Sequence, residues 1–386
     1  MGTRLVVGLY GHPEAYPPTL NALNELSGLF DEVDVLFRPH CAVEWDYPAN
    51  VKLHPSGAAM SPREQEALPL PKRWGLVVNF IKDMAKLCKE KKTKVILLYD
   101  PLALMAFLIA RVFLHNPPFI VWYHNHDVLE ANQKRFSLNW CARSVEKKAF
   151  LRLNIFSLPS NERKEFFPMK NFQGKYFFLP NLPAVSFYSQ FQNTANEHSA
   201  FRIIFQGHID AGHGIEEILN LMPANVTGKP IHLVLKGWIR DRYKTVLTQI
   251  IEARGLRNDV EFAGYTAYQE LPKLTASCHA GLAIHTKADI MNKTLGTASN
   301  KIYEYAAVGL PLLYFDNPHF NEHLEKYEWA FATDLSAHSL KYCFEQISAR
   351  QAELSRAARK DFMTRLNYEC HFQPLRQYLE ELLKQA

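Results

Sequence analysis

Residues 299–315 read SNKIYEYAAVGLPLLYF, and this stretch decides the fold class. It begins with polar residues, continues with helix-forming ones, and reaches Gly309 and Pro311, which are typical of a helix end. An apolar run, Leu312–Phe315, follows at once and predicts a buried strand. A helix joined directly to a buried strand is the repeating unit of an α/β protein with a parallel sheet.

The same alternation of strands and helices runs through most of the 386 residues. In the first half the predicted strands are Arg4–Leu9, Glu32–Phe37, Lys94–Tyr99, Phe119–Tyr123, Asn154–Leu158 and Tyr176–Leu179. In the second half they are Phe201–Phe205, Ile231–Lys236, Val260–Phe262, Ala280–Ile284 and Leu312–Phe315. Residues 39–72 are rich in proline and predict a long irregular insert with some edge structure.

The two series of strands are separated by residues 181–199, a polar, asparagine-rich stretch that we interpret as a linker. Repeated β-α units imply parallel sheets covered by helices on both faces. The predicted fold is therefore α/β, with two Rossmann-like parallel-sheet domains facing a cleft. Ligands of such sheets bind at the carboxyl ends of the strands, so functional residues are expected there.

Composition excludes several classes of protein. Hydrophobic residues make up 47% and charged residues 22%, as in globular proteins, and a mean hydropathy of -0.20 does not fit a polytopic membrane protein. The net charge of +5 is too small to require a nucleic-acid partner, and none is expected. Residues 1–190 hold 23 basic and 17 acidic side chains, a net of +6, whereas the rest holds 21 and 22, a net of −1.

The cysteines and the apolar stretches predict a cytoplasmic protein. None of the six cysteines lies in a Cys-x-x-Cys pair, which is typical of single buried thiols in a reducing compartment. The N-terminal apolar stretch is too short for a signal peptide. The most apolar internal stretch is interrupted by Asp100, Arg111 and the Pro117-Pro118 pair, so it falls short of a membrane span.

The helix that opens residues 299–315 has the features of an anion site. Its first N–H groups have no partner within the helix, and Lys301 adds a cation there, so a diphosphate is a plausible ligand. Glu304, one turn on, can accept hydrogen bonds from two vicinal hydroxyls such as those of ribose. The alternative is that Ser299 is an ordinary N-cap and Glu304 a solvated helix residue.

This stretch resembles the nucleotide-sugar signature of GT-B glycosyltransferases, most closely that of glycosyltransferase family 4. Members of that family often carry Asn-Lys-x-x-Glu-Tyr followed by Ala-x-Gly-x-Pro. The positions that match are Asn300, Lys301, Glu304, Tyr305, Ala307, Gly309 and Pro311. Residues 201–219, 231–239 and 260–285 resemble successive parts of the same family's C-terminal domain. The resemblance covers the whole chain in outline and is specific over about 200–315.

The resemblance implies a role for each domain. Residues 200–369 are expected to form the C-terminal domain, which binds a nucleotide diphosphate sugar. Residues 1–185 are expected to form the N-terminal domain, which binds the acceptor, with the last helix, about 370–386, packing back on it. In the C-terminal domain, Glu304 is expected to hold the ribose, and Lys301, Ser299 and Asn300 the diphosphate. Tyr265 lies in the turn that commonly contacts the base.

A glycine-rich loop follows the strand Phe201–Phe205. Gly207 and Gly214 allow the backbone to approach a phosphate closely, and His208 could act there as a neutral donor. The alternative is an ordinary strand-to-helix turn, since glycine-rich turns are common in α/β proteins.

Two departures from the family pattern concern the donor. The family's glycine loop commonly carries an arginine or lysine that this loop lacks, and Arg240 is the nearest replacement, with Arg242 and Lys244 as alternatives. Many members also carry two glutamates that flank seven residues, the first of them near the donor sugar. Glu304 is the second, and we place Thr297 at the first position.

The N-terminal half has two candidate loops. Gly11 and His12 follow the first strand, where GT-B enzymes often contact the acceptor or a phosphate; the alternative is a plain turn. His124 and Asp127 lie at the carboxyl end of a buried strand, where they could bind the transferred sugar or transfer a proton. The alternative is that the histidine packs internally and Asp127 caps a helix.

A basic cluster near one helix end suggests a membrane partner. It consists of Lys86, Lys89, Lys91, Lys92 and Lys94, with the neighbouring Trp74, Val78 and Phe80 as apolar contacts. Such a surface predicts peripheral association with an anionic membrane on the cytoplasmic face. The alternative is a solvated helix end whose lysines favour the helix dipole.

These observations predict a glycosyltransferase of polysaccharide biosynthesis that moves a sugar from a nucleotide diphosphate sugar to a hydroxyl of a glycan or lipid-linked glycan. The resemblance implies retention of anomeric configuration. No spacing typical of a metal site is present, so no metal and no cofactor other than the donor substrate are expected. The alternatives are a nucleotide-sugar epimerase of the same fold and a non-catalytic nucleotide-binding paralogue.

Overall fold

The computed structural model describes residues 3–89, 93–114, 119–129, 132–195, 198–287 and 292–385. The chain divides into two compact units. The first contains the residues up to Pro180 together with those from His371 onward, and the second contains Asn181–Cys370.

The first unit is built on one sheet of seven parallel strands. The strands are β1 (Arg4–Leu9), β2 (Glu32–Phe37), β3 (Val51–Pro55), β4 (Thr93–Leu98), β5 (Ile120–His124), β6 (Ile155–Leu158) and β7 (Lys175–Phe178). Their order is β3-β2-β1-β4-β5-β6-β7, so the direction of winding reverses between β1 and β4. The helices between them are α1 (Pro17–Ser27), α2 (Pro62–Ala67), α3 (Leu70–Cys88), α4 (Pro101–Val112) and α5 (Leu138–Ala149).

The second unit repeats this plan. Its strands are β8 (Phe201–Gln206), β9 (Asn225–Val226), β10 (Lys229–Lys236), β11 (Val260–Gly264), β12 (Ala280–Ala283), β13 (Leu312–Phe315) and β14 (Ala330–Thr333). The parallel order is β11-β10-β8-β12-β13-β14, with β9 pairing antiparallel to β10, and the reversal lies between β8 and β12. The prediction of an α/β protein with two parallel sheets is confirmed.

Helices of the second unit precede and follow these strands. They are α6 (Val185–Tyr188), α7 (Ile215–Leu221), α8 (Asp241–Ala253), α9 (Leu271–Ala276), α10 (Asn300–Ala307), α11 (Pro318–Leu324), α12 (Ala337–Ala349) and α13 (Gln351–Thr364). The last helix, α14, spans Tyr368–Gln385, and its residues from His371 onward belong to the first unit.

The last part of α14 packs on the first unit through buried apolar residues. Phe372, Leu375 and Leu379 are fully buried, and the Phe372 ring lies 6.4 Å from that of Trp122 on β5. The ion pair between Arg376 and Glu25 on α1, 3.1 Å long, borders this contact.

The stretch predicted as an irregular insert with some edge structure does contain an edge strand, and it also contains the helix α2. Strand β3 pairs in parallel with β2, from Val51 beside Val33 to Pro55 beside Phe37. As an edge strand it has only one partner, so it tolerates polar residues and a terminal proline. Its sequence therefore lacks the apolar run that marks the central strands. Residues 70–72, at the end of the same stretch, are the first residues of α3.

The stretch predicted as a linker belongs to the second unit. Leu182 and Tyr188 are 3% and 1% exposed and lie in its apolar core. The carboxylate of Glu369 accepts hydrogen bonds from the backbone N–H groups of Val185 and Ser186 at the start of α6. A few buried apolar residues within a polar sequence hold the stretch to the second unit, which is why its composition was misleading.

Two further expectations about exposure differ from the structure. Phe80 is fully buried under α3 and is not available as a membrane contact, because α3 turns it inward with Val77 and Met84. All six cysteines are free, but Cys41 and Cys370 are exposed rather than buried.

Within the described residues, no helix combines the length and the apolar character needed to cross a membrane. Lys91 and Lys92 of the predicted basic cluster lie outside the described residues.

Candidate functional site

Glu304 is held in a buried polar network at the carboxyl end of β8. The side chain, 5% exposed, projects from α10 and accepts hydrogen bonds from Gln206 Nε2 at 2.6 Å and from the Tyr268 hydroxyl at 3.0 Å. Thr275 in turn donates to Gln206 Oε1 at 2.9 Å. Burial raises the pKa of Glu304 to about 7, against the two hydrogen bonds and the charge of Lys301, which lower it. Each carboxylate oxygen keeps one acceptor position beyond the bond it already makes.

Lys301 lies one turn earlier on the same helix and covers the glycine turn after β8. Its Nζ is 3.9 Å from the centre of the Phe205 ring, and a Cβ on Gly207 would lie 3.6 Å from it. Burial lowers the pKa of Lys301 to about 7, and the charge of Glu304 raises it. A dianionic ligand at this nitrogen would restore the proton, because an opposite charge nearby favours the charged form of lysine.

The glycine turn lies directly against the turn after β10. Gly207 donates its backbone N–H to the carbonyl of Lys236, and a Cβ on Gly237 would come within 2.0 Å of the carbonyl oxygen of Gly207. Gly237 also has a φ of +133°, a conformation that other residues rarely adopt. Glycine at this position is therefore required by both sterics and backbone conformation.

The histidines of this region are neutral and carry hydrogen-bond donors. His213 accepts a hydrogen bond at Nδ1 from the backbone N–H of Asp210, which leaves the proton on Nε2. Its pKa falls to about 3 because of burial and the charges of Lys301, His208 and Lys287. Burial lowers the pKa of His208 and, together with Lys301, holds the pKa of His285 well below its usual value. The loop therefore offers neutral N–H groups close to Lys301.

The start of α10 presents polar groups without protein partners. Ser299 occupies the N-cap position, but its side chain makes no capping hydrogen bond, unlike an ordinary N-cap serine. Among the described residues, Asn300 Oδ1 and His285 Nε2 are buried and have no hydrogen-bond partner. Orphaned polar atoms are expected where a ligand completes the site.

The remaining predicted donor residues lie around this centre. Arg240 is exposed at the start of α8. Its positive charge helps to lower the pKa of His208, so Arg240 lies near that histidine. Tyr265 is 76% exposed in the turn after β11, and Gly214, with a φ of +73°, precedes α7. The carbonyl of Thr297 accepts a hydrogen bond from the backbone N–H of Asn181 at 3.0 Å.

The position of the first family glutamate needs a correction by count. Seven residues separate the two glutamates, so the position equivalent to the first is Gly296 rather than Thr297. The space beside Gly296 is filled: its N–H donates to His319 Nε2 at 2.9 Å, and a Cβ would lie 2.2 Å from the ring of His323.

The first unit carries a cavity at the same place in its sheet, where the winding reverses between β1 and β4. The cavity measures about 170 Å³, and its lining includes Gly11, Asp100, His126 and Asp127. Asp100 accepts hydrogen bonds from the N–H groups of Tyr10, at 2.5 Å, and of Ala103, at 2.8 Å. These two bonds lower its pKa, but burial outweighs them and raises the pKa to about 6.

The two predicted catalytic residues are placed differently. Asp127 is exposed and lines the cavity. His124 is 4% exposed, with Nδ1 at 2.8 Å from the Ser157 hydroxyl, which also accepts from Trp122 Nε1. Because Ser157 already accepts that hydrogen bond, its own proton is free for His124 Nδ1. Burial, with a contribution from Arg163, lowers the pKa of His124 to about 3, so it is a neutral donor.

His126 forms part of the cavity wall, although only its neighbours were predicted as functional. Its ring is stacked between Tyr16, at 4.8 Å, and Tyr99, at 4.7 Å, and Nε2 lies 2.9 Å from the Thr19 hydroxyl. His12 is 2% exposed and accepts a hydrogen bond from the N–H of His40 at 3.4 Å, whereas Gly11 lines the cavity.

Sequence reasoning missed several residues that share one signal. Gln206, Asp100 and Arg38 are each the polar residue found where an apolar parallel strand ends. Ligands of parallel sheets bind at that edge, so the first polar residue at the end of each buried strand is a candidate site residue. Tyr268 and Thr275 carry no such signal, because they reach the site from α9 and the turn before it.

Comparisons with known proteins agree with this organisation. Residues 188–361 match the family model described as glycosyl transferases group 1. No curated protein sequence matches the chain. The structure is similar to sucrose-phosphate synthase from Thermosynechococcus elongatus, with a TM-score of 0.71 and 13% identity over 100% of both chains. It is also similar to Anabaena HepE in complex with UDP, with a TM-score of 0.65 and 15% identity over 100% of both chains.

A third solved structure, that of WaaG, a glycosyltransferase involved in lipopolysaccharide biosynthesis, has a TM-score of 0.62 and 14% identity. That match covers 98% of this chain and 99% of the other. At these identities the likeness is one of fold, and it extends over both units.

Proposed function

Since the chain is a GT-B glycosyltransferase whose residues 188–361 belong to the glycosyl transferases group 1 family, we propose that it uses a nucleotide diphosphate sugar as donor. The observation that carries the proposal is the pairing of Glu304 and Lys301 on α10 at the carboxyl end of β8. A carboxylate with two open acceptor positions suits a ribose diol, and a buried lysine beside orphaned polar atoms suits a diphosphate. HepE, a structural neighbour, is bound to UDP, which makes UDP-sugars the first donors to test.

The proposed reaction is transfer of the sugar to an acceptor hydroxyl. The bond between C1 of the sugar and the diphosphate oxygen breaks, and the electron pair leaves with the nucleotide diphosphate. A new bond forms between C1 and the acceptor oxygen, which loses its proton. Lys301 and the neutral histidine donors stabilise the departing charge, so the chemistry we propose needs no metal. Following the family resemblance, we propose that anomeric configuration is retained.

The acceptor is proposed to bind in the first unit, at the cavity beside Asp127. Asp127 is the exposed carboxylate of that lining and is the proposed acceptor of the hydroxyl proton. His124 is neutral and carries an N–H donor. We therefore propose that it donates a hydrogen bond, to the transferred sugar or within its own loop after β5, and that it does not act as the base.

For a lipid-linked acceptor, the first unit is proposed to lie against an anionic membrane. The support is its net charge and the surface of α3, where Val78 is 44% exposed and Lys82, Lys86 and Lys89 are exposed.

The test of donor binding is calorimetric titration of the protein with UDP, GDP and ADP. We expect one nucleotide to bind, and Glu304→Gln to weaken it on the order of 100-fold, because charged hydrogen bonds contribute roughly 1.5–3 kcal/mol each. Glu345→Gln, an exposed glutamate on α12, is the matched control and should leave the affinity unchanged. Unchanged affinity in Glu304→Gln would refute the ribose role. Release of free sugar from the donor without any acceptor would instead support the epimerase alternative.

A further inference from the structure

A second cavity of the first unit adjoins the one beside Asp127 and shares Tyr10, Gly11 and Tyr16 with it. It measures about 370 Å³, and its lining also includes His40, Arg73 and Glu66. Arg73 projects from the first turn of α3 and is partly buried. Within the described chain, no carboxylate lies within ion-pair distance of Arg73.

Arg38 is a buried cation next to this cavity. It follows the last residue of β2 and is 1% exposed. Its Nη1 donates to the carbonyl of Ser56, and Gly57 leaves room for the guanidinium, since a Cβ there would lie 2.7 Å from Nη1. Among the described residues, Arg38 Nε and Nη2 have no hydrogen-bond partner. Three N–H groups of one buried guanidinium are therefore left without an acceptor.

The other buried arginines of the first unit show how unusual this is. Arg4, 2% exposed, donates to the carboxylate of Asp34 at 2.6 Å and to the Thr93 hydroxyl at 2.9 Å. Arg163, 1% exposed, donates to the carbonyl of His126. The negative charges of Asp127 and Glu162 act to raise its pKa. No acidic side chain acts on Arg38 in this way. An unpaired buried charge costs several kcal/mol, so an anionic ligand close to Arg38 would offset part of that cost.

Arg38 lies two residues before His40, which lines the cavity, but Arg38 is not itself one of the lining residues. The charges of Arg38 and Arg73 both act on the Tyr10 hydroxyl, and the charge of Arg38 acts on His40. His40 is stacked on His12, and burial lowers the pKa of His40 to about 4, so it is neutral. Carboxylates also lie in this region. Oε2 of Glu14 is 3.8 Å from Nε2 of His12, and Glu66, which lines the cavity, is exposed. Among the described residues, the lining therefore holds one cation, Arg73, and one exposed carboxylate, Glu66, and the charge of Arg38 acts on two further lining residues, Tyr10 and His40.

We propose that this cavity binds an oxyanion group of the acceptor saccharide, either a phosphate ester or a carboxylate, through Arg73 in its lining, with the charge of the buried Arg38 behind the lining adding to the attraction. Guanidinium groups bind both of these oxyanions in a planar, two-point geometry, and burial makes the interaction stronger than on the surface. The inference rests on the proposed function, because it takes the ligand of the first unit to be the acceptor. It adds that the acceptor is an acidic saccharide rather than a neutral one.

The test is calorimetric titration of the full-length protein, saturated with its nucleotide, with glucose 6-phosphate, glucuronate and glucose. We expect at least one of the two acidic sugars to bind, and glucose to bind at least tenfold more weakly. Which acidic sugar binds better distinguishes a phosphorylated acceptor from a uronic acid. Arg73→Gln should weaken the acidic sugar at least tenfold, and Arg152→Gln, an exposed arginine of the same unit, should not change it.

A second measurement covers the buried arginine. With the donor site saturated by nucleotide, inorganic phosphate should raise the melting temperature of the protein and of Arg152→Gln, and it should not raise that of Arg38→Met. Equal affinity for glucose and the acidic sugars, or unchanged affinity in Arg73→Gln, would overturn the proposal. Nucleotide affinity measured on the same samples separates the two hypotheses: its loss counts against the proposed donor, whereas its presence without selection for acidic sugars counts against the acidic acceptor alone.

Discussion

Glu304 and Lys301 show how burial changes the chemistry of single residues. Each is an ordinary charged side chain in the sequence, and each has a pKa of about 7 in the structure because burial penalises its charged form. Their opposite charges offset only part of this penalty. Because the carboxyl group and the ammonium group both have a pKa of about 7, donor binding should weaken in acid and in alkaline solution.

We therefore predict a bell-shaped pH dependence for binding of UDP-glucose, with a maximum near pH 7. Below that pH, Glu304 gains a proton and loses acceptor positions for the ribose; above it, Lys301 loses the proton that attracts the diphosphate. Each limb should change the affinity by at most about tenfold per pH unit. The measurement is calorimetric titration between pH 5.5 and 9.

Substitutions separate the two limbs of that profile. Glu304→Gln should flatten the acid limb, and Lys301→Met should flatten the alkaline limb while lowering the affinity. Lys273→Met, an exposed lysine paired with Glu270 on the neighbouring α9 segment, should reproduce the full bell. An affinity that does not change with pH in the unsubstituted protein would contradict the role of both groups.

At the scale of elements, the donor site depends on contacts between turns. The turn after β8 and the turn after β10 approach so closely that only glycine fits at residue 237. Tyr305 on α10 packs its ring against β12, where a Cβ on Gly281 would lie 2.4 Å from a ring carbon. The Tyr305 hydroxyl also accepts the N–H of Gln206 at 3.2 Å. These glycines allow α10 and β8 to place Glu304 and Gln206 within hydrogen-bond distance.

We predict that Gly237→Ala lowers the free energy of unfolding by about 2–5 kcal/mol, through backbone strain of about 1–2 kcal/mol and a steric clash of about 1–3 kcal/mol. Gly228→Ala is the matched control, because Gly228 also has a positive φ, +85°, but no atom lies within 4 Å of its added Cβ. Urea denaturation measures both. An equal loss in the two variants would show that the clash with Gly207 is relieved without cost.

At the scale of the whole molecule, the second unit interrupts the first in the sequence. The chain leaves the first unit at Pro180 and returns to it at His371. The returning segment of α14 buries Phe372, Leu375 and Leu379, so it contributes apolar core that is distant in sequence from the strands it covers. The stability of the first unit therefore depends on the C-terminal residues of the chain.

We predict that Phe372→Ala destabilises the first unit by about 3–5 kcal/mol, the usual cost of truncating a buried phenylalanine. Hydrogen exchange measures the effect by region: β5 should exchange faster, because Trp122 lies against Phe372, and β10 should be unchanged. Gln377→Ala, at an exposed position of the same helix, is the control. Equal acceleration in β5 and β10 would contradict the assignment of this segment to the first unit.

The amino-acid sequence by itself determined the α/β class, the two parallel sheets and the stretch 299–315, because these depend on periodicity and on residues close together in the chain. It also gave Glu304 and Lys301 as candidate donor-binding residues, because they lie in one motif. It predicted edge structure within residues 39–72 without locating β3, and it did not predict the buried residues of 181–199, since both are polar stretches whose few apolar contacts are distant in sequence. Only the tertiary structure showed that Gln206 and Tyr268 hold Glu304, and that Nε and Nη2 of the buried Arg38 have no hydrogen-bond partner among the described residues. Such facts depend on which side chains the crossovers bring together, and local sequence contains no record of those distances.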